Sequence, residues 1–287
     1  MKMTGRHFAI YRMLLGTYLA LYFFHLVPWA EELFGPEGMV PVPSSNVIRL
    51  GWFPNILALI PLPAAAPLFL TLVGMASLML AAGLYRHAMA GLVWYGYACI
   101  IQRNAVVDNP AIGFVSWVVL ATLLVPAGEP WSMHNRSREP VEGWSVSPQL
   151  IMGGWIVFGV AYTVSGVDKI FQPYWRSGAA FREFLDVPLH RSWGIHSWFR
   201  ELPMFVSQVL TWAAVWVEIL FLPAIFHPRA RMIVWWLTVG LHLIVLLNIN
   251  ITMLTMGALV SLGFLFDPEW IRKSPGRAAG VAAARQP

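Results

Sequence analysis

Lys169 has the setting in this 287-residue chain that most suggests chemistry. It closes the run Tyr162-Thr-Val-Ser-Gly-Val-Asp-Lys169-Ile-Phe. At spacings of four and three, Tyr162, Gly166 and Lys169 share one face of a helix. The glycine leaves room beside the lysine for a ligand or for another backbone. A lysine that enters a low-dielectric cavity is driven toward its neutral form, which makes it a candidate base. The plainer alternative is an interfacial lysine paired with its neighbour Asp168.

Other polar residues sit in apolar surroundings. His242 lies on a face with Trp235, Thr238 and Leu246, and Glu218 stands between Trp216 and a Leu/Phe run. A charge at a bilayer centre costs roughly 2.5–3.5 kcal/mol on insertion scales, so each such residue needs a reason. For Glu218 an ion pair with an arginine and a functional role are both open. His242 either lines a site or packs neutral among its neighbours. Asp108, Asn109, Glu129, Arg86 and Arg103 fall at the ends of apolar runs, and the two arginines there read as snorkelling anchors.

The elements that must hold these residues are membrane helices. The chain is 58% hydrophobic and 11% charged, against about 45–50% and about 25% in soluble domains. The single cysteine, Cys99, rules out an intrachain disulfide and a cysteine-built metal site. No metal site of any kind is expected. The excess of Lys and Arg lies in short loops between apolar runs, which points to membrane orientation and away from nucleic acid. Runs long enough to cross a bilayer are His7–Pro28, Pro63–Leu84, His87–Ile101, Pro110–Val125, Pro148–Gly166, Met204–Phe226, Arg229–Leu247 and Ile249–Phe266. The third and fourth are short enough for one to be re-entrant.

The expected fold is an all-α polytopic membrane protein of about eight spans, with a single transmembrane domain over residues 1–273 and a disordered tail over 274–287. With both termini in the cytoplasm, twelve of the 19 Lys and Arg fall inside, as the positive-inside rule requires. The connection 171–203 mixes Trp175, Trp193, Trp198, Phe181 and Phe184 with Arg176, Arg182, Arg191 and Arg200. That mixture suggests amphipathic helices lying in the outer interface over the mouth of a cavity.

Several segments in order resemble the membrane domain shared by vitamin K-dependent γ-glutamyl carboxylase and its bacterial HTTM relatives. They are Tyr11-Arg-Met-Leu-Leu-Gly16, Gly83-Leu-Tyr-Arg86, Asn109, Pro126-Ala-Gly-Glu-Pro-Trp-Ser132, Gly166-Val-Asp-Lys169-Ile with Trp175 and Gly178, His242, and Phe266-Asp-Pro-Glu-Trp-Ile-Arg-Lys273. The resemblance implies a lyase or oxygenase of the bacterial inner membrane that works with a reduced naphthoquinone or related quinol. Oxygen and carbon dioxide are the implied co-substrates. Lys169 matches the lysine that deprotonates the hydroquinone. Glu129 stands where the family has a histidine, and the large lumenal substrate domain has no counterpart after Phe266.

Lys169, Glu129 and His242 are thus the candidate catalytic residues, with Tyr162, Gly166, Asp108, Asn109 and Trp175 around the cofactor. In an eight-span count Glu129 and Lys169 fall on opposite faces, unless one short span is re-entrant. Two other functions stay open. One is a maturation factor that holds a short secreted peptide through the aromatics and arginines of 171–203. The other is a non-catalytic membrane protein. Membrane lipid is the expected partner in every case.

Overall fold

Pro110, Pro148 and Pro228 each stand in the first turn of a helix, where the missing N–H costs no bond and the fixed φ is already helical. The computed structural model describes residues 3–40, 53–135 and 143–272. The main helices are α1 (Gly5–Leu26), α2 (Ala65–Ala82), α3 (Arg86–Arg103), α4 (Pro110–Leu124) and α5 (Pro148–Phe171). After the short helices α6 (Ala180–Leu185) and α7 (Gly194–Arg200) come α8 (Met204–Ile219), α9 (Phe221–Ala224), α10 (Pro228–Asn248) and α11 (Thr252–Gly263). Among the described residues extended structure is confined to two isolated bridges, Thr4 with Ser145 and His190 with Ile249. The tail 274–287 lies outside the described residues.

The protein is an all-α, multi-pass membrane protein. Helices over Gly5–Phe34, Ala65–Ala82, Pro148–Phe171 and Pro228–Asn248 are long and apolar enough to cross a bilayer. Pro110–Leu124, Met204–Ile219 and Thr252–Gly263 are apolar but shorter. Leu14, Leu21, Leu68 and Val164 point outward and exposed from these helices. A water-facing surface seldom carries so much apolar area.

α1 packs along α2, α2 against α3, α3 against α4 and α4 against α11; α11 returns to α1 and α10, while α5 packs on α8 and α9. Contacts at the helix ends give the directions. Val146 N donates to Met3 O over 3.0 Å, and Arg12 and Arg86 reach the ends of α2 and α4. The starts of α1, α3 and α5 therefore share one end of the bundle with the ends of α2 and α4. The opposite end carries the close of α5 and α10, the start of α11 and the layer made by α6 and α7.

Two boundaries differ from the sequence reading. α5 runs on to Phe171, so Lys169 belongs to its last turn and not to the connection after it. The run Met204–Phe226 is broken at Leu220. Pro223 cannot donate a backbone bond there, and the Thr163 hydroxyl fills in by accepting from Leu222 N and donating to Ile219 O, 3.2 and 3.1 Å.

Arg86 and Arg103 do not snorkel: their exposures are 4% and 3%. Arg103 donates to the carbonyls of Gly35 and Val40. Each guanidinium finds backbone carbonyl acceptors within the protein, Arg103 in the segment that follows α1, which removes the need to reach for headgroups.

Candidate functional site

The Lys169 ammonium donates to the Glu218 carboxylate on α8 and to Ser165 Oγ at 2.8 Å. It also lies 5.0 Å from the centroid of the Trp175 ring, within the range of a cation–π contact. The Lys169 and Glu218 side chains are 16% and 17% exposed. Asp168 turns away and accepts from Gln172 Nε2 at 2.6 Å. Successive helical residues point about 100° apart, which sends neighbouring charges to different partners.

Deeper on the same face of α5, Tyr162 Oη and His242 Nε2 are 2.8 Å apart. The Tyr162 ring is stacked between Phe114 and Phe221 at centroid distances of 5.2 and 4.8 Å. These rings fix the hydroxyl toward His242. Gly166 serves the packing of α5 on α8 rather than ligand space, since a Cβ there would meet Glu218 and Ile219.

Next to the pair lies a cavity of about 150 Å³, walled by Tyr162, Trp175, Phe181, Phe184, Glu218 and His242 among others. The phenylalanines come from α6, which is pinned to α8 by the turn before it. Gly178 takes φ +79°, a conformation glycine adopts without strain. Its carbonyl accepts from Thr211 Oγ1 at 2.9 Å, and Thr211 Oγ1 in turn accepts from Phe181 N at 3.0 Å.

The residues nominated from sequence divide into three places. Tyr162, Gly166, Lys169, Trp175 and His242 come together with Glu218. Asp108 and Asn109 line a different cavity of about 630 Å³ between α3 and α4, with Trp94 and Tyr97. Glu129 lies at the far end of the bundle, buried beside Arg86 and Arg12: its Oε1 is 3.0 Å from Arg86 Nε and 3.5 Å from Arg12 Nε. There the guanidinium of Arg12 donates to the carbonyls of Leu80, Ala81 and Trp131. That of Arg86 donates to Thr122, Val125 and Pro126. The two cations thus cap the negative ends of α2 and α4, and Glu129 offsets the remaining charge.

Glu218 is the site residue that reasoning from the lysine alone missed. Its signal was present, because it is the one carboxylate inside a predicted span and an embedded lysine calls for such a partner. Three of the four arginines of the 171–203 segment are tied into the fold, while Arg176 is exposed. Arg182 donates to Leu202 O, Arg191 to Leu246 O and Thr252 Oγ1, and Arg200 pairs with Asp186. Among the described residues, no group of three or more His, Cys, Asp or Glu could hold a metal ion.

The chemistry of this lining fits a hydroxylated aromatic ring. Aromatic walls accept its faces, Glu218 and His242 offer acceptors, and Lys169, bonded to Glu218 just outside the lining, supplies a cation. Volume sets a limit. A cavity of about 150 Å³ is known to hold benzene, and ligand sites start at about 300 Å³. One ring fits; the fused rings of a naphthoquinone require α6 to move outward. Comparisons of the chain with protein families, with curated proteins and with solved structures find no match.

Proposed function

We propose that this chain is an eight-span enzyme of the bacterial cytoplasmic membrane, related to the carboxylase-type membrane domain. In this reading the Lys169–Glu218 cavity binds the hydroxylated ring of a membrane quinol and removes its proton. The observation that carries the reading is the Lys169–Glu218 pair set against an aromatic, ring-sized cavity with Tyr162 and His242 in its wall.

The ion pair divides the role that the family resemblance gives to the lysine alone. Glu218 is the acceptor: the ring O–H bond breaks and the proton goes to its carboxylate. Lys169, no longer facing an anion in Glu218, then faces the negative oxygen left behind. Ser165 and Trp175 keep the ammonium in place during the exchange. His242, oriented by Tyr162, is the second acceptor. When bound, such a ring supplies an acidic hydroxyl and two-electron redox chemistry. A positioned base contributes typically about 10²–10⁴-fold in rate.

The test is binding in quinone-free lipid, read by native mass spectrometry with a short-tail benzoquinol and a short-tail naphthoquinol. The benzoquinol is expected to bind more tightly, and Lys169→Met and Glu218→Gln are each expected to weaken it. Binding of neither quinol, or binding unchanged in both variants, overturns the reading.

A further inference from the structure

We infer that the stacked imidazoles of His190 and His196 form an acid-sensitive latch that holds α7, and through it the wall of the cavity, in the closed position. The rings lie 4.8 Å apart at 19°. His196 is buried on α7, and neither of its ring nitrogens has a hydrogen-bond partner. A buried polar group left without a partner needs a reason. A ring that must stay neutral, and that gives way once it is charged, supplies one.

The two halves of the latch belong to different bodies. His190 is fixed to the corner between α10 and α11. It bridges to Ile249, with Arg191 N donating to Asn248 O and Asn250 N to Leu189 O, both at 2.8 Å. Its Nδ1–H donates to Val187 O at 3.0 Å. His196 rides on α7, which braces α6. Phe199 packs on Phe181 at 5.7 Å, Arg182 donates to Leu202 O at 3.1 Å, and Arg200 pairs with Asp186 at 2.8 Å. Phe181 and Phe184 of α6 wall the cavity. Releasing α7 therefore removes one of the two supports of that wall, the other being the tie of Gly178 and Phe181 to Thr211.

The charges around His196 set the direction. Burial comes first in holding it below the ordinary histidine value, followed by the positive charges of His190 and Arg200, while Asp186 works against them. α10 brings no charged side chain between His242 and Asn248. The closed state binds fewer protons than the open one, so it loses stability as pH falls below the ordinary value of about 6.5. Two imidazolium rings in this stack repel each other. The latch holds whichever ligand the cavity takes.

Thiol labelling tests it on the full chain in nanodiscs, with buried Cys99 replaced by alanine. The labelling rate of Phe184→Cys is divided by that of the exposed reference Val106→Cys at the same pH, which removes the reagent's own pH dependence. Between about pH 7.5 and about pH 5.5 the ratio is expected to rise by up to about tenfold, the most that one pH unit below the ordinary value can add. It is expected to stay flat in His196→Gln. His190→Gln gives the same reading if His196→Gln fails to fold. A flat ratio with both histidines present overturns the latch, and so does an equal rise in the variants.

Discussion

Gly166 and Glu218 meet without a side chain between their helices: a Cβ on residue 166 would lie 2.9 Å from the Glu218 Cβ. Ile219 N would be equally close, so α5 and α8 touch through backbone at this level. That approach is what lets Lys169, three residues on, reach the carboxylate. Gly166→Ala should destabilise the protein by about 1–3 kcal/mol, the range for overpacking a fitted contact. Gly240, inside α10, faces open space: a Cβ added there would meet nothing within 4 Å. Gly240→Ala should therefore gain roughly 0.5–1 kcal/mol of helix propensity. Unfolding midpoints in one detergent check both signs.

The Lys169–Glu218 pair should behave as a unit. Removing one partner of a fully buried pair costs about 3–5 kcal/mol. With each side chain about one-sixth exposed, Lys169→Met or Glu218→Gln alone should cost about 2–4 kcal/mol. The double variant Lys169→Met/Glu218→Gln should recover most of that loss, because no charge is left unpaired. Denaturant titrations of the four proteins give the coupling, and strictly additive losses contradict it.

At the other end of the bundle, Arg86→Met removes the donors to Thr122, Val125 and Pro126 and the partner of Glu129. A loss of about 3–5 kcal/mol is expected, as for breaking a buried pair. Quinol binding by the folded fraction should stay as in the parent protein. A selective loss of binding at unchanged stability would instead tie this cluster to the cavity.

Orientation can be read with two exposed positions, Val106 at the Lys169 end and Met133 at the Glu129 end. In a chain with Cys99 replaced by alanine, Val106→Cys should react with an impermeant thiol reagent from outside intact cells. Met133→Cys should react only after permeabilisation. The reverse pattern would put the termini outside and turn the cavity toward the cytoplasm.

The helices were legible in the sequence because apolar length and proline position are local signals. The expected run Pro110–Val125 becomes Pro110–Leu124, and Arg229–Leu247 becomes Pro228–Asn248. The break at Leu220 was not, since Pro223 alone does not say which carbonyls lose their bonds. The clustering of Tyr162, Gly166 and Lys169 followed from helical spacing. Their partners did not: Glu218 lies 49 residues from Lys169 and His242 lies 80 from Tyr162. Arg86 looked like an anchor because its acceptors are backbone carbonyls, which no residue type advertises. Asp108 and Asn109 share the Lys169 end of the bundle but open between α3 and α4, a distinction set by helix rotation and not by depth.

The arginine caps bear on how the chain enters the membrane. Arg86 finds its acceptors 36 to 43 residues downstream, from Thr122 to Glu129. Arg12 waits even longer for the carbonyl of Trp131, 119 residues away. A nascent chain that has delivered only α1, α2 and α3 holds two guanidinium groups short of these partners, each costly to leave in lipid. Lateral release of the early helices is thereby coupled to the arrival of α4 and the loop that follows it. A chain truncated before Pro126 lacks Glu129 and the carbonyl of Trp131, and is expected to leave both guanidinium groups without their full set of partners.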